Sequence, residues 1–154
     1  MKKLSENRTI ELEIDALDVK ILKLLEEDGR ASFTEIARKL RLNESTVRKR
    51  ILRLKSKQVI KKFSIEIDPA KIGFHTVAII GIDVEPAKLL EAAQQICDIP
   101  AARYVATSTG DHMILTEFWA KDGRALTSLI SNQIGKIEGI KKICPAIILE
   151  KLKG

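Results

Sequence analysis

Two short hydroxyls, Ser45 and Thr46, stand just ahead of four cations, Arg48, Lys49, Arg50 and Arg53. Such groups do little bond-making chemistry by themselves, but together they match a nucleic acid. A hydroxyl near a helix start can approach base edges, and the longer cations reach phosphates or guanine acceptors. They belong to a wider asymmetry, because the formal charge of +6 on the 154-residue chain is very unevenly spread. Residues 1–40 hold eight Lys/Arg against nine Asp/Glu, and residues 63–154 hold ten against eleven. Residues 41–62 hold nine (Arg41, Arg48, Lys49, Arg50, Arg53, Lys55, Lys57, Lys61 and Lys62) against Glu44 alone, so the excess positive charge lies in this one segment. A run of Lys and Arg is most often a solvated helix face, and its meaning depends on the elements that carry it.

Asp15 precedes Leu17, Ile21, Leu24 and Leu25, which are spaced as one helix face, and Asp28-Gly29 reads as a left-handed stop. Ser32-Phe33-Thr34-Glu35 is a capping box opening a second, two-turn helix with Ile36, Ala37 and Leu40 on one side. Arg41-Leu42-Asn43 interrupts it, and Asn43 can cap a third helix whose inward stripe is Val47, Ile51 and Leu54. Ser45, Thr46, Arg48, Lys49, Leu52 and Arg53 then face outward, with Arg50 toward the flank. Two short helices joined by a tight turn and packed on a preceding one form a helix-turn-helix, whose second helix enters the DNA major groove. The predicted DNA contacts are Ser45, Thr46, Arg48, Lys49, Arg50 and Arg53, and binding to double-stranded DNA should weaken steeply with salt.

Residues 59–67 alternate like an extended strand that Asp68-Pro69 ends. They suggest a strand linker over 59–73, between a winged-helix-like DNA-binding domain over 1–58 and a second domain over 74–154. There, residues 74–84 are rich in Val and Ile, and Pro86 opens a helix with Leu89, Leu90, Ala93 and Ile96 on one face. Residues 102–107 and 113–120 read as strands joined by Ser108-Thr109-Gly110-Asp111-His112. Asp122 caps a helix bearing Leu126, Leu129, Ile130 and Ile134, and residues 140–149 form a last strand. The order is βαββαβ, a ferredoxin-like unit, and the class is α+β. Pro145 suits the last strand only at a sheet edge. Helices on one face leave the other face open, so the sheet should self-associate, which would let paired helix-turn-helix units grip half-sites about 34 to 36 Å apart or a multiple of that.

Other reactive side chains have plainer readings. Cys97 and Cys144, each beside Ile, are expected to be small buried hydrophobes. Asp111 either bonds its own backbone in the turn or meets a ligand. His112 is a candidate proton sensor but, without a visible partner, reads as incidental, and His75 receives no role. Trp119 is expected in the core or at a subunit contact. There is no Gly-rich phosphate loop, His-Glu-x-x-His or Gly-x-Ser-x-Gly, so no enzymatic activity and no cofactor or metal are predicted. No stretch approaches the ~20 apolar residues of a membrane span, and the basic start leads into polar residues and not an apolar signal core. A cytoplasmic protein without a membrane partner is expected.

From Ile14 onward the chain resembles the Lrp/AsnC (feast/famine) transcription regulators. The resemblance rests on Leu17-Asp18 through Ile21-Leu22, Asp28-Gly29-Arg30, Glu35-Ile36-Ala37, Leu42-Asn43-Glu44-Ser45-Thr46-Val47, Arg50, Leu54, Val59-Ile60-Lys61 and Ile72-Gly73-Phe74. It implies a homodimer assembling to octamers that binds promoter DNA and responds to an amino acid or related metabolite. Thr109, Gly110 and Asp111 match the turn that helps bind the effector, and His112 is counted with them. The chain departs from the family there: an aromatic and then an acidic residue commonly follow, where this chain has His112 and Met113. The second carboxylate that would meet a basic effector is absent. Two functions remain open, a sequence-specific regulator modulated by an amino acid and an architectural DNA-compacting protein without an effector.

Overall fold

The computed structural model describes residues 14–153; the basic start over residues 1–6 lies outside them. Three helices open the described chain: α1 (Ala16–Glu27), α2 (Phe33–Leu40) and α3 (Glu44–Ser56). Ile21, Ile36, Val47 and Ile51 are buried between them, as the apolar spacings require. The capping box of α2 is formed, with Ser32 Oγ accepting from the Glu35 amide and Glu35 Oε2 accepting from the Ser32 amide at 2.7 Å. A second box opens α1, where Asp15 caps the Asp18 amide and the Asp18 side chain returns to the Asp15 amide. The end of α1 is not left-handed. Asp28 is extended at φ −143°, and its carboxylate accepts from the Arg30 amide at 2.9 Å, a local turn that stops the helix without using the freedom of Gly29. The left-handed stop belongs instead to Arg41 after α2, at φ 55°. Asn43 occupies the cap position of α3, but its side chain makes no capping hydrogen bond.

The strand predicted over residues 59–67 does not form. Gln58 turns left-handed at φ 58°, and the amides of Val59 and Ile60 return to the carbonyl of Leu54, so these two residues finish α3. Ile60 packs on the three-helix core, which explains part of the apolar alternation. Among the described residues, residues 61–68 pair with no strand. The chain divides into two compact units between Glu66 and Ile67.

The second unit contains β1 (Thr76–Val84), α4 (Leu89–Cys97), β2 (Ala102–Thr107), β3 (Ile114–Ala120), α5 (Gly123–Asn132) and β4 (Ile140–Ile147), which is the βαββαβ order. The four strands form one antiparallel sheet in the order β2-β3-β1-β4. Pro145 lies on the edge strand β4, opposite Ile80, where its missing amide leaves the pairing with β1 intact. Ala78, Ile80, Ile82 and Val84 of β1, with Ile114, Thr116, Phe118 and Ala120 of β3, are buried on the helix side. They meet Ala92 and Ile96 of α4 and Leu126 and Leu129 of α5. The alternating partners Val77, Ile79, Leu115 and Trp119 lie on the opposite face, less buried. The cysteines are less buried than expected: Cys97 follows the inward Ile96 and is exposed at the end of α4, and Cys144 is half-buried on β4. Phe118 is fully buried at the centre of this core. Phe118→Ala should therefore destabilise the second unit by about 3–5 kcal/mol, read as a lowered urea midpoint by Trp119 fluorescence.

Candidate nucleic-acid interface and ligand turn

The side chains of α3 are organised by a carboxylate on α1. Asp18 is wholly buried, and its oxygens accept from three donors: the Asp15 amide, Arg50 Nη1 at 2.9 Å, and Arg53 Nη2. Arg50 also donates to Asp15 at 2.7 Å. This pairing pushes the Arg50 guanidinium above its ordinary value, chiefly through Asp15 and then Asp18, and the same bond holds the Asp15 carboxyl down. Two of the six predicted DNA contacts are thus turned toward α1. The arginine side chains stay 24% and 38% exposed, so they close over the carboxylate as a partly solvated lid.

Arg48 is also held, on the other flank. Its Nη2 donates to Glu44 at 2.8 Å, and its guanidinium lies 4.8 Å from the centre of the Phe33 ring. Glu44 accepts in addition from Thr34 Oγ1 at 2.9 Å, tying the first turn of α3 to the first turn of α2. Arg48 and then Thr34 hold the Glu44 carboxyl below the usual range. Among the described residues Lys49 makes no ion pair, and Ser45 and Lys49 are exposed while Thr46 is half-buried. At 100° per residue, Ser45, Lys49, Leu52 and Ser56 share the line opposite the core stripe Val47, Ile51 and Leu54. The most outward part of α3 therefore carries one cation, two hydroxyls and a leucine, with tethered arginines along its flanks.

In the second unit, residues 108–112 connect β2 to β3. Ser108 Oγ donates to the His112 carbonyl at 2.5 Å, and the Ser108 amide donates to the Met113 carbonyl at 2.9 Å, so the turn closes on itself. Gly110 has φ 117°, a conformation that side chains strain to adopt. Thr109, Gly110 and Asp111 are exposed. His112 has the partner that sequence reasoning could not see: Nδ1 lies 3.1 Å from Asp83 Oδ1 on β1. Its ring rests on Gly81, where a Cβ would come within 2.1 Å of the ring carbon Cδ2. Asp83 and Gly81 alternate on the open face of the sheet, which is why an inward apolar pattern gave no sign of them.

Residues 14–55 match the AsnC-type helix-turn-helix domain, and residues 77–154, half of the chain, match the Lrp/AsnC ligand binding domain. The chain belongs to the Lrp/AsnC family. It is similar to the HTH-type transcriptional regulator LrpA of Pyrococcus horikoshii, with 49% identity over 91% of this chain and 99% of that protein. Its fold is like that of AsnC from E. coli, with a TM-score of 0.81 and 23% identity over 92% of this chain and 95% of that one. It is also like that of a transcriptional regulator of Neisseria meningitidis solved with L-Met, with a TM-score of 0.84 and 20% identity over 91% and 92%. This Lrp/AsnC chain is thus a transcriptional regulator with a DNA-binding helix-turn-helix and a ligand-binding domain. No described helix is long and apolar enough to cross a membrane.

The residues missed at the Lrp/AsnC helix-turn-helix are the carboxylates Asp15, Asp18 and Glu44. Asp15-x-x-Asp18 has capping-box spacing and could have been found, but its pairing across 32 and 35 residues with the arginines could not. Removing Asp18 takes away a buried charge that two cations share, whereas removing Arg48 breaks a solvated pair. Asp18→Ala should cost about 3 kcal/mol or more and Arg48→Ala less than about 1 kcal/mol, measured by chemical denaturation followed by helical circular dichroism. Asp15, Glu35 and Glu44 all have lowered carboxyl pKa values, Glu35 chiefly through the Ser32 amide. Such groups stabilise the fold above their unfolded pKa, and this contribution is lost as pH falls through the folded value. The melting temperature should fall on acidification through the carboxylate range, and less so in Asp15→Asn.

Proposed function

We propose that this regulator grips double-stranded DNA through the outer ridge of α3, with Ser45, Thr46 and Lys49 at the groove and Arg48 at its margin. Arg50 and Arg53 are proposed to position the helix by closing over Asp18, as Nη contacts at both of its oxygens support. The observation that carries this reading is the exposure of Ser45 and Lys49 on the one segment holding the chain's excess positive charge. The open face of the sheet, with Ile79 43% and Tyr104 56% exposed, supports self-association into dimers and higher assemblies. A homodimer would present two copies of α3 to half-sites one DNA turn apart.

The turn containing Thr109, Gly110, Asp111 and His112 is proposed as the effector contact. Its exposed backbone and Asp111 can meet the ammonium of an amino acid. Met113 follows His112 where the family commonly carries a carboxylate, and Asp83 is engaged by the imidazole, so an uncharged effector side chain is favoured over a basic one. The complex of the Neisseria regulator with L-Met is in keeping with that chemistry.

The test is fluorescence anisotropy on duplex DNA across a salt series, with and without each amino acid. Lys49→Ala should weaken binding and reduce the slope of log affinity against log salt by about 1. Asp111→Ala should leave basal binding intact and remove the amino-acid response. An unchanged slope would move the interface off this ridge, and a preserved response would return Asp111 to a structural part in the turn.

A further inference from the structure

Leu52 stands on the outermost line of α3 with 56% of its surface exposed. Its neighbours one helical turn away are Arg48, Lys49, Lys55 and Ser56, so it joins no apolar cluster on the helix surface. A leucine there can neither donate nor accept a hydrogen bond, and within a cationic ring it gives a phosphate nothing to hold. Its side chain distinguishes base pairs only through an apolar contact. Among the groups presented on the major-groove edges of the bases, the apolar one is the 5-methyl of thymine. From Ser45 to Leu52 the helix rises about 10.5 Å, the length of about three base-pair steps, so the hydroxyl and the leucine would lie over different base pairs of one groove.

We infer that Leu52 is a specificity-determining residue that reads the 5-methyl group of a thymine in the regulator's binding site. The inference rests on the placement of α3 in the major groove proposed above. The tethered arginines favour it: Arg48, Arg50 and Arg53 are each paired with carboxylates of their own domain, so discrimination falls to the ridge that is left. The flanking cations also suit the leucine to DNA, since the phosphates that border a groove would meet Lys49 and Lys55 on either side of it.

The experiment uses the full chain. Duplexes are first selected from a randomised pool, and each thymine of the selected site is then replaced by uracil, which removes the methyl and nothing else. The wild-type protein should lose about three- to five-fold in affinity at one thymine, or two adjacent ones, in each half-site, as expected for one buried methyl. Leu52→Ala should show no loss at those positions, and Leu52→Met, which keeps an apolar tip, should retain it. Leu52 is exposed, so both variants should melt like the wild type. A selected site that binds equally with uracil throughout, a uracil penalty that persists in Leu52→Ala, or a pool without enrichment would overturn the inference. The groove placement is judged separately by random duplex: Leu52→Ala should bind it with the wild-type salt slope, whereas Lys49→Ala should not. Should Lys49→Ala keep that slope, the placement falls, and the thymine reading falls with it.

Discussion

A buried carboxylate with two guanidinium partners fixes how α3 is turned. Asp18 has no exposed side-chain surface, and a charge in that position is stable only when its oxygens are fully hydrogen-bonded. The donors come from the start of α1 and from two positions on α3 separated by three residues, which lie on one flank of the helix. Apolar packing alone is non-directional and would accept some rotation of α3 about its axis. Rotation by one residue, 100°, would carry Arg50 and Arg53 away from Asp18 and strand the charge. The helix therefore has one setting, and that setting decides which residues point away from the core.

The same interaction changes what the basic segment means. Counted along the chain, residues 41–62 carry a large positive excess, but three of their arginines face carboxylates, two of them carboxylates belonging to α1. The positive charge that remains is spread over side chains such as Arg41, Lys49, Lys61 and Lys62, which make no ion pair among the described residues. The three tethered arginines are balanced by Asp15, Asp18 and Glu44, so they add little net field of their own. They keep their geometry before any ligand arrives, so less side-chain freedom is lost when DNA is bound.

Much of this architecture was legible in the chain. The inward stripes of all three helices, the Ser32 box, the strand and helix order of the second unit and the edge position of Pro145 follow from periodicities of 3.6 and 2 and from the missing proline amide. Two features escaped it for the same reason. Residues 59–67 alternate correctly for a strand, but a strand is defined by a neighbour, and Val59 and Ile60 were claimed by the end of α3. Arg50 and Arg53 have the right chemistry for phosphate, yet their partners are more than thirty residues away. Local pattern gives the type and face of an element; it carries no information on which distant group will meet a charged side chain there.

The turn at residues 108–112 shows the same limit from the opposite side. In sequence His112 has only Asp111 nearby, but antiparallel pairing of β1 with β3 sets Ile82 opposite Ile114 and so brings Gly81 and Asp83 beside the end of the turn. An imidazole can lie flat against the sheet only where the strand beneath has no Cβ, and Gly81 supplies that place. Once seated, the ring meets Asp83 through Nδ1, and the hydrogen bond from Ser108 to the His112 carbonyl fixes the backbone that carries it. The carboxylate nearest the turn on β1 is thereby occupied from within the chain, leaving Asp111 as the exposed acid. Under the effector reading proposed above, Asp111 is the acid that this turn holds out for the ammonium common to all amino acids.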